Sequence, residues 1–560
     1  MLFCEALKKE NIDRILCAPE FKKALGELNR DIKKYRNTPI PTLPYSLFKL
    51  YFTTGNRVLY EDVYFDRRGR LTAFTMAALL YGRSEDIDAL EDIIWDICGE
   101  YTWCLSAHIT DQGNGYDNYS IDLFAAETGF ALAEIYYLLG KTLDKKVTQR
   151  ILDELERRIF TPFTTRCFWW ENCDNNWAAV CGGSVGAAYI YAAPDRFDSV
   201  RERITKTLSC FISGFGEDGA CLEGIGYWNY GFAYFTYFTE LLKEFTYGKT
   251  DLSAIPKCKK IALFGQNAFM RKNYTVSFSD GYRQYSYIPG LTQKLYDIYG
   301  DEISAPPSEY AEFDEPCHRL PTYLRNFFWS ASGTVPHLRS TLSEIYYPNA
   351  GWYILNRSRL SLAAKAGHND EPHNHNDIGS FTLLSDDGYI LCDFGCGEYC
   401  REYFDLKTRY NFLCNSSKGH SLPIIDGRGQ CPGRDHYGEV ICAENGIFTV
   451  ELINAYDIKD MLSLMRTVKL TEDNVFCLCD KFTFAGNSHH VTERFVTMTE
   501  PILSDNGELY IGDFRLIYDS STKPKLGFEK LRDHYSNEAT MYMIDFELDG
   551  PTEFELNIYP

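Results

Sequence analysis

The feature that most constrains this chain is a change in its apolar period. Up to about residue 325 apolar residues recur at helical spacing, and beyond about 340 they fall into short runs separated by turn residues. Leu123, Phe124, Phe130, Ala131, Ile135 and Leu138 would share one helix face, with Ser120 as the expected N-cap and Gly140 as the stop. The next segment starts at Asp144 and places Val147, Ile151, Leu152, Leu155 and Ile159 together before Pro162, which is expected to end it. Similar periods appear around 72–83, 86–101, 177–193, 197–213, 228–246 and 256–270. Paired helices joined by short turns fit a ring of helical hairpins, although no exact repeat is visible. The stretch Trp177 to Pro194 is rich in Ala and Gly, falls short of the ~20 residues that span a bilayer, and predicts a helix packed closely on all sides.

In the second half, Asp386-Asp387-Gly388 separates SFTLL from YILCDFG, and Glu444-Asn445-Gly446 separates EVICA from IFTVEL. Both read as β-hairpins. Strand-like runs follow at 464–471, 475–484, 491–498, 509–518 and 540–558, the pattern of an antiparallel sandwich. The expected architecture is α+β: a helical domain over 1–325 and a β-sandwich domain over 326–560, joined through the proline-bearing stretch at 300–344.

Charge and cysteine usage narrow the function. The net charge of −21 argues against nucleic acid and anionic membranes as partners. The N-terminal residues carry charge too early and too often for an export signal, so cytoplasmic residence is expected. The 19 cysteines are scattered, which suits a reducing compartment. Cys392, Cys396 and Cys400 lack the spacing of common cluster motifs and are read as free thiols. The oligomeric state is left open, with a homodimer among the options.

Chemistry concentrates in two places. Five of the 11 histidines lie between 368 and 436. Around Glu371-Pro372-His373-Asn374-His375-Asn376-Asp377, an extended backbone would turn His373 and His375 to one side. Asp393 arrives on the return of the following hairpin and His420 comes next, a donor set that suits Zn²⁺. In the helical half, WWENCDNNW and DGACLEGIGYWNY set Asn, Glu and Tyr among Gly and Trp, residues that can line a sugar cleft. The 15% aromatic content is compatible with that reading without requiring it.

These segments resemble the heparinase II/III family: DLFAAETGFALAEIYYLLG, NWAAVCGGSVG and LEGIGYW in the helical half, then EPHNHNDIGSF, Asp393-Phe394-Gly395 and GHSLPIIDGRGQ. The resemblance implies an (α/α) toroid followed by an antiparallel β-sandwich, and a lyase cleaving acidic, uronate-containing oligosaccharides by β-elimination. It implies catalytic roles for Tyr227, His373 and Asn176, at the last of which relatives carry Asn or His. It implies zinc, or another divalent cation in some relatives, on His375, Asp393 and His420 in a structural role. Trp177, Trp228, Glu223, Tyr230 and Arg409 are the substrate-binding candidates. Two other classes remain open: a zinc hydrolase acting on carbohydrate, and a non-catalytic zinc-stabilised carbohydrate-binding protein. With a strongly acidic chain, short oligomers cut from a chain end are the expected substrates.

Overall fold

A computed structural model gives the structure of the chain and describes residues 8–109, 119–332, 335–336, 343–486, 488–519, 521–534 and 536–560. Contacts divide it into two compact units. The first comprises Met1–Phe215, Trp228–Ala262 and Ser286–His337, and the second comprises Gly216–Tyr227, Leu263–Tyr285 and Leu338–Pro560. The 300–344 connection includes helix Leu320–Phe328, while 333–334 and 337–342 lie outside the described residues.

The first unit is helical, as the periodicity predicts. Its helices include Val58–Tyr81, Ser84–Cys98, Leu123–Leu139, Lys145–Leu155, Asn176–Ala192 and Arg201–Ser213. The period seen at 72–83 belongs to a helix that begins fourteen residues earlier, at Val58. Its first half looks too polar in sequence because Arg67 and Arg68 are buried against Glu100, at 2.7 and 2.8 Å. The cap of helix Leu123–Leu139 is Asp122, not Ser120. Its carboxylate accepts the Ala125 amide at 2.7 Å and sits at the positive end of the helix dipole. Gly140 ends that helix as expected. Pro162 does not end the next one. A wide π turn over Glu156–Phe160 absorbs the proline, and the helix runs on to Thr165.

Helix Asn176–Ala192 is buried on all sides, and its glycines explain how. A methyl group at Gly182 would overlap Thr207, and one at Gly186 would overlap the Phe238 ring. Small residues let three helices approach closely there. Among the described residues no helix is long and apolar enough to cross a membrane.

The second unit is an antiparallel β assembly. A nine-stranded sheet runs in the order Pro501–Leu503, Leu509–Ile511, Phe514–Tyr518, Glu553–Tyr559, Phe476–Phe484, Met461–Leu470, Ile447–Glu451, Gly433–Glu444, Gly367–Asn369. A five-stranded sheet holds Ser343–Tyr347, Trp352–Asn356, Leu360–Lys365, Phe381–Ser385 and Gly388–Leu391. A four-stranded sheet holds Pro524–Arg532, Glu538–Asp549, His490–Thr497 and Pro423–Ile425. Both expected hairpins form. The run at 509–518 is two strands turned at Gly512, and 540–558 is likewise two.

Alternating side chains of all three sheets meet in one core, with Leu355, Leu362 and Leu383 facing Phe448, Leu464, Leu478, Phe495 and Ile544. The three inner strands of the five-stranded sheet are buried on both faces. Segment Leu263–Tyr285 supplies part of the second cover, since Phe264 and Phe278 pack on Trp352 at 6.0 and 5.3 Å. Arg271 in the same segment bonds Ser361 and Asp386, at 2.9 and 2.6 Å.

A buried ion pair ties the core to the loops above it. Arg466 holds Asp480 through both carboxylate oxygens, and its remaining Nη donates to the carbonyls of Gly379 and Ser421 at 3.0 and 2.6 Å. Burial and the Asp480 charge push the Glu493 carboxyl well up beside this pair. Arg466→Met strands Asp480 without a cation and frees two carbonyls. The expected loss is ~3–5 kcal/mol in chemical denaturation, while a conservative surface change such as Arg515→Met is expected to stay within about 0.5 kcal/mol.

Candidate functional site

The second unit builds its polar centre around Asp280. After Phe278 anchors on Trp352, Ser279 takes a left-handed backbone (φ 58°) and Gly281 closes a turn onto the Phe278 carbonyl. The turn directs Asp280 inward, where it is 2% exposed. Its Oδ2 accepts from His373 Nδ1 at 2.7 Å and from the Tyr399 hydroxyl at 3.0 Å. Its Oδ1 accepts from His375 Nε2 at 3.0 Å and from the Tyr403 hydroxyl. Arg409 Nη2 approaches at 3.5 Å. Burial would raise the Asp280 carboxyl, but the hydrogen bonds from His373 and His375 hold it well below the usual carboxylate range.

An ionised carboxylate only accepts, so each imidazole must present an N–H to it. His373 therefore carries its proton on Nδ1 and keeps a lone pair on Nε2, which lies 3.6 Å from Glu223 Oε1. His373 itself has a left-handed backbone (φ 56°), so the motif is a tight turn and not the extended strand that sequence spacing suggests. The two imidazoles nonetheless converge, on one carboxylate.

Tyr227 completes the cluster. It stands in the first turn of helix Ile225–Phe245, with its ring stacked on His373 at 4.2 Å. Its hydroxyl is 2.9 Å from the Tyr399 hydroxyl and 3.5 Å from His373 Nδ1. Tyr399 donates to Asp280, so the proton between the two tyrosines belongs to Tyr227. Burial, then the Asp280 charge, push the Tyr227 phenol well above its ordinary value. It is a neutral hydroxyl held next to an oriented imidazole.

Behind this lie two of the three residues proposed from sequence for a metal, Asp393 and His420, with Asp377 in the place expected for His375: these three put ligand atoms within 4.8 Å of one another. His420 Nε2 donates to the Cys414 carbonyl at 3.0 Å, and its Nδ1 is hydrogen-bonded with Asp393 Oδ2 at 3.1 Å. In the neutral tautomer that keeps the Cys414 bond, Nδ1 would face Asp393 with a lone pair, and a cation could take the proton's place. The His375 ring lies 5.4 Å from that of His420, and its Nδ1 is buried without a partner, as is Asp377 Oδ2. The other oxygen of Asp377 is taken by buried Lys365, at 2.6 Å, which also holds Glu371 at 3.1 Å. The four side chains fit a divalent cation with nitrogen and oxygen ligands.

Other candidates take different places. Arg409 is 5% exposed and donates to the Asn374 and Tyr403 carbonyls at 3.0 and 3.2 Å, so it positions the loop rather than facing a ligand. Trp228 is buried with its indole N–H on the Ile261 carbonyl at 2.7 Å, a core residue of the first unit. Tyr230 lies under the Arg319 guanidinium at 4.1 Å, itself paired with Glu127. Asn176 opens a buried helix of the first unit, and Trp177 beside it packs on Trp169 and His108 at 4.8 and 5.0 Å. Cys392, Cys396 and Cys400 are free thiols, the first two buried. Asp280, Tyr399, Tyr403 and Asp377 were not singled out by sequence reasoning. Asp377 stands inside the histidine motif and was within reach, whereas Asp280 sits in a Ser-Asp-Gly that reads as an ordinary turn.

Asp280→Ala removes the shared acceptor and leaves Arg409 without its carboxylate. Chemical denaturation is expected to show a loss of ~3–5 kcal/mol. Glu223→Gln, an isosteric change at a side chain 3.6 Å from one imidazole edge, is expected to cost less than Asp280→Ala.

Comparison with known proteins places this arrangement. Residues 341–495 match the family model "Heparinase II/III-like, C-terminal". No curated protein matches the sequence. Among solved structures, heparinase III superposes with a TM-score of 0.63 at 12% identity, covering 100% of this chain and 92% of that one. A heparan sulfate lyase from Pedobacter heparinus gives 0.57 at 12% identity, with 99% and 91% covered. The chondroitin AC lyase of Streptomyces coelicolor in complex with chondroitin sulphate gives 0.56 at 9%, with 99% and 82% covered. The helical half and the antiparallel half thus form the toroid-plus-sandwich fold of these structures, and residues 341–495 are similar to the C-terminal domain of heparinase II/III-like proteins.

Proposed function

We propose that the protein is a lyase that cleaves uronate-containing glycans by β-elimination. The observation that carries this reading is the neutral Tyr227 hydroxyl stacked beside an imidazole that Asp280 orients, at 4.2 Å between rings. β-Elimination needs a base for the C5 proton, α to the uronate carboxylate, and an acid for the departing glycosidic oxygen. His373 Nε2 has the lone pair for the first task, and Asp280 stabilises the imidazolium that results. The C5–H electrons form the C4=C5 double bond, the C4–O bond breaks, and Tyr227 donates its proton to the leaving oxygen. The high position of the Tyr227 phenol favours it as acid over base.

A divalent cation on His375, Asp393, His420 and Asp377, zinc by donor chemistry, would supply a fixed charge that orders the His373 loop from behind. His375 is suited to it because Asp280 takes its Nε2 proton and leaves Nδ1 to coordinate. Elemental analysis is expected to find one zinc per chain. His420→Ala is expected to lose metal and thermal stability together. Full metal retention in that variant would refute the ligand set.

Ultraviolet absorbance of the conjugated uronate, followed on a panel of acidic oligosaccharides, tests the reaction. Tyr227→Phe and His373→Ala are each expected to lower turnover by ~10²–10⁴, with the melting temperature unchanged in the first and lowered in the second. Saturated products would identify a hydrolase, and no product at all a binding protein. The net charge of −21 gives no general attraction for a long polyanion. Short oligomers are therefore the expected substrates, and rapid collapse of polymer in size-exclusion profiles would contradict that preference.

A further inference from the structure

Beside the Asp280 cluster the second unit encloses a cavity of about 430 Å³, within the ~300–1,000 Å³ of small-ligand sites. Its wall carries Arg283, Tyr282, His534, Asp387 and Asp533. Arg283 is unusual in this unit. Every other buried or half-buried arginine among the described residues there has a carboxylate partner: Arg271 with Asp386, Arg357 with Glu472, Arg409 with Asp280, Arg466 with Asp480 and Arg494 with Asp545. Arg283 is half-buried, 5.7 Å from the Phe394 ring, and makes no ion pair with a described residue. Its side chain hydrogen-bonds the Cys392 thiol and feels the Asp393 charge, but as a guanidinium partly removed from water beside a cavity it lacks the carboxylate contact that its neighbours have.

The cavity shares a wall with the reacting groups. Gly281 follows Asp280 directly, and the His534 ring packs edge-on against Tyr399 at 4.2 Å. We propose that this cavity is a subsite for an acidic sugar residue, with Arg283 binding its carboxylate or sulfate ester, Tyr282 offering an aromatic face, and Asp387 and Asp533 accepting from hydroxyls. The two carboxylates exclude a polyanionic patch and favour one charged group among several hydroxyls. That is the pattern of an acidic monosaccharide unit. The proposal rests on the lyase reading for what the sugar is attached to, and deepens it by locating a second charged unit of the substrate.

The test measures binding, so it does not depend on turnover. Full-length Tyr227→Phe protein and its Arg283→Gln derivative are titrated calorimetrically with an unsulfated glucuronate-containing tetrasaccharide, a sulfated one, and neutral cellotetraose. Arg283→Gln is expected to weaken the acidic ligands by about tenfold or more, the worth of a charge-assisted hydrogen bond, with little change for cellotetraose. A loss confined to the sulfated ligand assigns the pocket to sulfate, and a loss on both assigns it to carboxylate. Unchanged affinity for both acidic ligands, or an equal loss for cellotetraose, overturns the proposal. Melting temperature and metal content serve as fold controls. If Arg283→Gln fails to fold, Arg283→Lys, expected to retain part of the affinity, and Tyr282→Leu, expected to weaken all acidic ligands several-fold, decide instead. Arg283-dependent binding in a protein whose wild type yields no unsaturated product would sink the lyase reading and leave the subsite standing. Cleavage by wild type with Arg283-independent binding does the reverse.

Discussion

One buried carboxylate organises the second unit's chemistry. Asp280 accepts hydrogen bonds from two histidines that stand two residues apart, and it assigns them opposite tautomers. His373 keeps its lone pair on Nε2, while His375 keeps its own on Nδ1. The same group thus aims one imidazole toward a reacting proton and the other toward a cation. A carboxylate removed from water is costly, and here two imidazoles, two phenols and a guanidinium offset that cost. Removing any one donor shifts the balance for the rest, which is why the geometry is over-determined.

The loops carrying these groups are held by a second set of buried charges. Lys365, on an inner strand, grips Glu371 and Asp377 at either end of the histidine turn. Arg466 grips the Gly379 and Ser421 carbonyls, just past Asp377 and His420. Buried pairs of this kind contribute little net stability compared with apolar packing, but they fix which loop conformation accompanies the packed core. The His373 and Ser279 backbones, both left-handed, persist because of such anchoring.

How much of this was legible follows from how local each signal is. The Asp386-Asp387-Gly388 and Glu444-Asn445-Gly446 turns announce hairpins because the turn chemistry and the flanking alternation lie within a dozen residues. The histidine motif is visible for the same reason. Asp280 was not, because a lone Asp before Gly looks like any turn, and its partners lie some ninety or more residues further along the chain. Arg67 and Arg68 concealed a helix start, since only their distant partner Glu100 makes them acceptable inside. Trp228 read as a sugar platform because exposure is not written in an aromatic residue's identity. Pro162 misled through a rule that a widened helical turn can evade.

The place of strand Glu553–Tyr559 in the nine-stranded sheet has a consequence for biosynthesis. It leaves the ribosome after the other described strands, yet it pairs between Phe476–Phe484 and Phe514–Tyr518, in the interior of the sheet rather than at an edge. Asp280 and its histidines are made long before it. Until those seven residues emerge, two sheet edges lie open and the core beneath the histidine loops has no lid of Leu556 and Ile558. During that interval the nascent β half exposes unpaired edges of the kind that chaperones shield.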